Sequence, residues 1–405
     1  MATPAMATAP YGTSVKGFDE KSSLQPPPGL LRIDFVLLLG MIALIALSCY
    51  VVGTATSNDI AGQPNYYLYR QIAYGGIGLV LVFLLSQFDY SRLREWRFGI
   101  YAFLIGSILL TFAIGGAAKG STRWIDLGFF QYQSSEMGKL LLIVALSAFL
   151  VERVRRLGER ETTSRLMLLA VVPAMLVIAQ PDLGSGLVYI AIVTSLLFVA
   201  GTKWTHFAAL GVLAVSAIVI VLVAAPAVGV DVLKPYQVDR LTAFLNPTND
   251  PRKQGYQLDQ SITGIGAGQR TGRGPDGATQ TQLNFVPEHH TDFIFAVVGE
   301  SWGFIGCALI LSLYALIVWR GLRILTMAKN LYGALIAGGV VGMVLFQMFV
   351  NVGMTIGIMP ITGIPLPLFS YGGSSVLMTF MALGLLQSVH VQGKGVQAGK
   401  RRELA

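Results

Sequence analysis

Ten apolar stretches dominate this chain, near residues 33–53, 67–87, 98–116, 134–151, 166–180, 184–200, 205–227, 291–318, 334–358 and 372–391. Most approach the roughly 20 residues that a helix needs to cross a bilayer. Lipid offers no partner to a backbone N–H or C=O, so each span must be helical. Only the turn Gln180-Pro181-Asp182 separates the fifth stretch from the sixth. The composition agrees: 54% of residues are hydrophobic and 12% charged, against about 25% charged in a soluble domain. A soluble enzyme, a disordered chain and a fibrous repeat are excluded. The expected fold is an all-α polytopic membrane protein of about ten transmembrane helices, with a long outer loop between the seventh and eighth.

The cations set the expected topology. Arg92, Arg94 and Arg97 follow the second span, Arg153, Arg155, Arg156, Arg160 and Arg165 the fourth, Lys203 the sixth, and Arg320, Arg323 and Lys329 the eighth. With the basic residues of both termini this side holds 19 of the 29 Lys and Arg. It is the cytoplasmic side by the positive-inside bias, with both termini inside. The net charge of +8 then reports basic loops, and no nucleic-acid partner is expected. Residues 1–29, rich in Ala, Thr, Ser and Pro, read as a disordered cytoplasmic tail without the pattern of a signal peptide. Residues 30–392 form the membrane domain, and 393–405 a basic cytoplasmic tail. Cys49 and Cys307 lie in apolar runs, which supports neither a disulfide framework nor a zinc site.

The remaining cations run against that bias. Arg123 and Lys139 flank one outer loop, and Arg240, Arg270 and Arg273 lie in or near the long one, about 228–290. Cations and Gly-rich turns suit phosphate, although a solvated flexible loop explains the same composition. Gly264-x-Gly266-x-Gly268 lacks the strand that a dinucleotide fingerprint requires.

Carboxylates near the outer ends of spans are functional candidates, because a charge in a bilayer costs about 2.5–3.5 kcal/mol. Glu136 and Lys139 share a helix face and read first as a neutralising pair. Glu300 reads as an interhelical hydrogen bond or a functional acid, and Asp182 as a helix cap or a functional acid. Asp292 lies at the start of the eighth span, beside Glu288, His289 and His290. Partial desolvation would suit it to act as a base, while a helix-start carboxylate complementing the macrodipole is the plainer reading. His289, His290 and Glu288 offer metal ligands, but adjacent residues do not share a helix face, so no protein-built metal site is expected. The apolar, turn-rich run 360–375 reads as a re-entrant or packed outer segment. It would carry Ser370 and Ser374 to the mouth of a lipid-accessible groove, or simply join two spans.

Three segments together resemble the SEDS (shape, elongation, division and sporulation) family. They are Arg123-Trp-Ile-Asp-Leu-Gly128 with Gln133-Ser-Ser-Glu136 and Lys139, then Pro287-Glu-His-His-Thr-Asp-Phe-Ile-Phe295 with Glu300, then Pro365-Leu-Pro-Leu-Phe-Ser-Tyr-Gly-Gly-Ser-Ser375. The run Asn351 to Gly363 is similar to the elongation (RodA) branch rather than the division (FtsW) branch. One departure is Ser134, where the family usually carries a Pro that pre-forms the first helical turn. A looser start to the fourth helix is expected.

The resemblance implies an inner-membrane peptidoglycan glycosyltransferase. It would polymerise lipid II on the outer face, beside a class B penicillin-binding protein. The family's essential acid maps onto Asp292, its outer-loop Trp onto Trp124, and its Glu/Lys pair onto Glu136 and Lys139. Asp292 would deprotonate the acceptor hydroxyl, with inversion at the anomeric carbon. Arg123, Lys139, Arg240 and Arg270 would stabilise the diphosphate. Trp124 would stack on a sugar or anchor the loop. Asp182, Glu288, His290 and Glu300 complete the candidate substrate contacts. No cofactor site is recognisable, and a divalent cation (Mg or Mn) would travel with the diphosphate. Two rivals remain. One is a lipid II flippase, weakened by the absence of a clear inverted repeat. The other is a non-catalytic scaffold of the wall-synthesis complex.

Overall fold

The computed structural model describes residues 32–118, 121–126, 130–156, 159–220, 254–283 and 288–403, with single positions 128, 226 and 285. Arg240, Pro287, the first 31 residues and the end of the expected seventh span lie outside the described residues. The membrane part is built from α1 (Phe35–Ala55), α2 (Tyr66–Gln87), α3 (Arg97–Ile114), α4 (Ser134–Glu152), α5 (Arg160–Ala179), α6 (Leu183–Val199) and α7 (Trp204–Val219). After the long loop come α8 (Gln254–Gly268), α9 (Thr279–Gln282), α10 (Ile294–Thr326), α11 (Leu331–Thr355) and α12 (Gly373–Glu403). Eight of these are long and apolar enough to cross a membrane; α6 and α7 are shorter apolar helices. The ten expected spans therefore each have a helix.

Burial sorts the helices. α4 and α12 are mostly enclosed, while α2 and α3 turn most of their length outward. Phe83, Phe103, Phe112 and Leu168 stand exposed, as lipid-facing side chains must. α12 packs on α2, α11 on α10 and α6, and α4 on α3 and α6. One large apolar core joins them.

The eighth span differs from expectation. α10 is broken at Gly303, whose φ of 63° and ψ of −159° are non-helical. Residues 294–301 form a buried half-helix, and Phe304 and Ile305 beyond the break face outward. The spanning part is thus 304–326, about 34 Å at ~1.5 Å per residue, which matches a hydrocarbon core of about 30 Å. Backbone groups freed at the break find partners in the segment 269–274. Phe304 N and Ile305 N donate to the carbonyls of Gln269 and Arg270 at 2.9 and 3.1 Å, and the carbonyls of Glu300 and Ser301 accept from Arg273 N and Gly274 N, both at 3.0 Å. A hydropathy pattern cannot register such a break, because both halves are apolar.

The described part of the outer loop, 254–283, is helical and packed rather than a solvated linker. α8 packs along α10. A Cβ on Gly268 would lie 1.8 Å from the carbonyl oxygen of Gly299, so this glycine allows close helix approach. In the outer loop between α3 and α4, β1 (Gly116–Ala118), β2 (Ser121–Asp126) and β3 (Gln131–Gln133) form a three-stranded antiparallel sheet.

Candidate active site

Helices alternate in direction, so the described residues of the connections 56–65, 121–133, 180–182, 269–283, 288–293 and 356–372 gather at one end of the bundle. Asp292 lies there, in the turn before the half-helix. Three successive carbonyls clamp its backbone. His290 O accepts from Tyr371 N at 2.9 Å. Thr291 O accepts from Ser370 Oγ at 2.6 Å, and Asp292 O from Asn351 Nδ2 at 2.8 Å. Ser370 Oγ also accepts from Leu366 N, and Asn351 Nδ2 also donates to Ile364 O. The segments 351–371 and 288–293 are thereby locked together. Phe293, buried against Leu258 and Ile361, seats the turn from the other side. The side chain of Asp292 stays half-buried. It sits at the positive end of the half-helix, where a carboxylate is favoured. The helix-start reading and the base reading describe the same placement.

Aromatic rings wall the same end. Tyr67 lies 4.8 Å from His290 and 5.0 Å from Tyr371, ring to ring. Tyr74 stands 6.4 Å from Tyr371 and 6.5 Å from Phe130. The Arg70 guanidinium stacks 4.5 Å over Tyr66. Burial pushes the Tyr371 phenol well above its ordinary range, and nearby Arg70 only partly opposes this. Tyr371 therefore stays neutral and able to donate a hydrogen bond. Glu288, at φ 54°, accepts through its carbonyl from Thr291 N and Phe293 N, and through Oε2 from Thr291 Oγ1.

The sheet brings a second group together. Trp124 is paired with Gln133 across β2 and β3, and its Nε1 donates to Gln133 Oε1 at 3.2 Å. Gln133 Nε2 and Ser135 Oγ donate to Asp182 Oδ2 at 3.2 and 2.8 Å, while Asp182 Oδ1 caps α6 through Ser185 N. Ser374 Oγ accepts from Gln133 N and donates to Gln131 O. Asp182 is thus a helix cap that also ties down the start of α4. That start, expected to be looser without its Pro, is held by a strand and by this carboxylate instead.

The cations separate. Lys139 Nζ lies 2.5 Å from Glu136 Oε1, both enclosed in the bundle. Arg123 donates to the carbonyls of Gln180 and Pro181, satisfying the last turn of α5. Arg270 is exposed. Glu300 is buried and accepts from Gln280 N, Thr281 N and Thr281 Oγ1 at 2.8, 3.0 and 2.8 Å; it caps α9 and staples the outer loop to the half-helix. Sequence reasoning missed Arg70 and Asp59 as site residues, and gave Asn351 and Tyr371 no role. The last two lay inside quoted motifs. Asp59, in a polar loop, carried no signal.

A helix bundle of membrane-spanning length, with an acid clamped at one end among aromatic rings, defines a polytopic membrane protein whose polar site lies at one end of the bundle. The chain belongs to the FtsW/RodA/SpoVE family of cell cycle proteins, whose model matches residues 30–395. It is 36% identical to stage V sporulation protein E of Bacillus subtilis, over 89% of this chain and 96% of the relative. It is 34% identical to the peptidoglycan glycosyltransferase MrdB of Escherichia coli, over 90% and 95%. Among solved structures, one reported for the structural coordination of polymerization and crosslinking by a peptidoglycan synthase complex superposes with TM-score 0.72 at 33% identity, covering 89% of this chain and 98% of that one. The rod shape determining protein RodA of Thermus thermophilus superposes with TM-score 0.64 at 30% identity, covering 90% and 98%.

Proposed function

We propose that this protein is a peptidoglycan glycosyltransferase of the elongation (RodA) type, which polymerises lipid II on the outer face of the cytoplasmic membrane. Both termini are cytoplasmic in this reading. The relatives named peptidoglycan glycosyltransferases support the activity. The observation that carries the site is the triple carbonyl clamp on residues 290–292, which holds one half-buried carboxylate in a fixed place. Asp292 takes the proton of the acceptor sugar hydroxyl as that oxygen attacks the anomeric carbon. The lipid diphosphate leaves from the opposite face, which inverts the centre. Such base action is worth about 10²–10⁴-fold.

Cations stabilise the charge that develops on the diphosphate. Arg240 and Arg270 are assigned this task, with Arg70, which stacks on Tyr66, at the same end of the bundle; Arg123 and Lys139 bond to groups of the protein itself. Mg or Mn carried with the diphosphate would supply further charge neutralisation. A class B penicillin-binding protein is the proposed partner that crosslinks the product.

The test is polymerisation of purified lipid II in detergent, where no leaflets exist. Asp292→Ala and Asp292→Asn should lose at least about 10²-fold in rate with unchanged expression and unfolding midpoint. A variant that still makes glycan removes the base. No glycan from the wild type, with or without the partner, returns the reading to a flippase or a scaffold.

A further inference from the structure

Asp59, His289 and His290 meet at the same end of the bundle, and the expectation of no protein-built metal site fails to anticipate their geometry. His289 Nε2 lies 3.4 Å from Asp59 Oδ2, and His290 Nδ1 lies 3.8 Å from the same oxygen. All three ligand atoms fall within 4.8 Å of one another. Two ligands bound at about 2.1 Å in tetrahedral geometry lie roughly 3.4 Å apart. The first separation already matches, the second is 3.8 Å, and the third is no more than 4.8 Å.

The objection from helix periodicity does not apply, because residues 288–293 form a turn. Glu288 has a left-handed φ of 54°, and the two imidazole planes stand at 77° to each other. Neighbouring side chains can then point at one spot. The ligands are also held in place. The side chains of Asp59, His289 and His290 are only 12%, 5% and 17% exposed. The Tyr67 ring lies against His290, and Tyr371 N anchors the His290 carbonyl. On the other side, Asn58 Nδ2 donates to Gln282 Oε1 at 2.9 Å, which steadies the loop that carries Asp59.

We infer that Asp59, His289 and His290 form a binding site for a borderline divalent transition ion, Zn²⁺ in the first instance. Two imidazoles and one carboxylate suit such an ion; Mg²⁺ prefers oxygen ligands in an octahedron. Three protein ligands leave a fourth position for water or an anionic oxygen. The ion would bridge the loop 56–65 to the turn that carries Asp292, two residues beyond His290, and so brace that turn. This inference rests on the geometry alone and stands whichever reaction the protein performs.

The full-length protein, stripped with a chelator, is titrated with Co²⁺ and Zn²⁺, with Mg²⁺ as competitor. The expected result is one ion per chain, a visible Co²⁺ spectrum of tetrahedral intensity, and no displacement by equimolar Mg²⁺. Even groups behind metal ligands matter about 10–100-fold to affinity, so His289→Ala and Asp59→Ala should each weaken binding at least about tenfold. Should either fail to fold, the wild type still decides: Zn²⁺ should protect His289 and His290 from diethyl pyrocarbonate, as mapped by peptide mass. Absence of Co²⁺ and Zn²⁺ binding, an ion that both substitutions leave in place, or histidines modified equally with and without Zn²⁺ would each reduce the cluster to an Asp–His ion pair and overturn the inference.

Discussion

Removing Lys139 gives the sharpest test of how this bundle tolerates charge. Its Nζ sits 2.5 Å from Glu136 Oε1, with side-chain exposures of 0% and 2%. Glu136 Oε2 has no hydrogen-bond partner among the described residues. Lys139→Met would therefore strand a buried carboxylate. Breaking a buried pair from one side costs about 3–5 kcal/mol, whereas replacing both partners by hydrophobic groups of similar volume is often nearly neutral. The expected order is a large loss for Lys139→Met and recovery of most of it in the double variant Glu136→Met/Lys139→Met. Glu161–Arg165 is an internal control: it is also an ion pair, but its side chains are 58% and 55% exposed. Arg165→Ala should cost about 0–1 kcal/mol. Reversible unfolding in mixed micelles measures all four proteins. A Lys139→Met protein as stable as wild type, or a double variant no better than the single one, would refute the argument. Polymerisation by the double variant then separates roles: activity retained means the pair only pins α4, and activity lost from a stable protein means it serves the reaction.

Two further outcomes follow from the geometry. At Gly303 a Cβ would meet Gly272 N at 2.4 Å and sit at φ 63°, so Gly303→Ala should open the break in α10 and destabilise by about 1–3 kcal/mol or more; wild-type unfolding in that variant would show that the break is not tightly sealed. At the opposite end, burial raises the Asp34 carboxyl, but the Arg320 guanidinium and Leu37 N–H more than offset this and hold it below its usual 3.8. Its contribution is then complete above about pH 4 and lost as pH falls through the lower folded value; the acid limb of the unfolding curve should shrink in Asp34→Asn, and an unchanged limb would contradict the assignment.

Much of the architecture was legible because lipid imposes one rule on every span. Length and apolarity gave each expected span a helix, although the spanning part of the eighth begins only after the break at Gly303. Single residues were less legible. Glu300 and Asp182 were each open to structural and functional readings, and only their hydrogen bonds, to Thr281 and Gln280 in one case and to Ser185 and Ser135 in the other, show that both act as caps. Arg123 looked like a phosphate ligand from its position in an outer loop, yet it bonds to the carbonyls that end α5. A charged side chain at a membrane boundary announces that it needs a partner without saying which.

The sequence by itself determined that this chain spans a membrane many times and carries an acid, Asp292, in a motif of its family. Burial of apolar surface and satisfaction of the backbone are one-dimensional demands, written in runs of residue type. Tertiary structure alone decided the break at Gly303, the clamp on residues 290–292 and the meeting of Asp59 with His289 and His290. Each depends on chain segments up to about 230 residues apart, and no local pattern encodes such a distance.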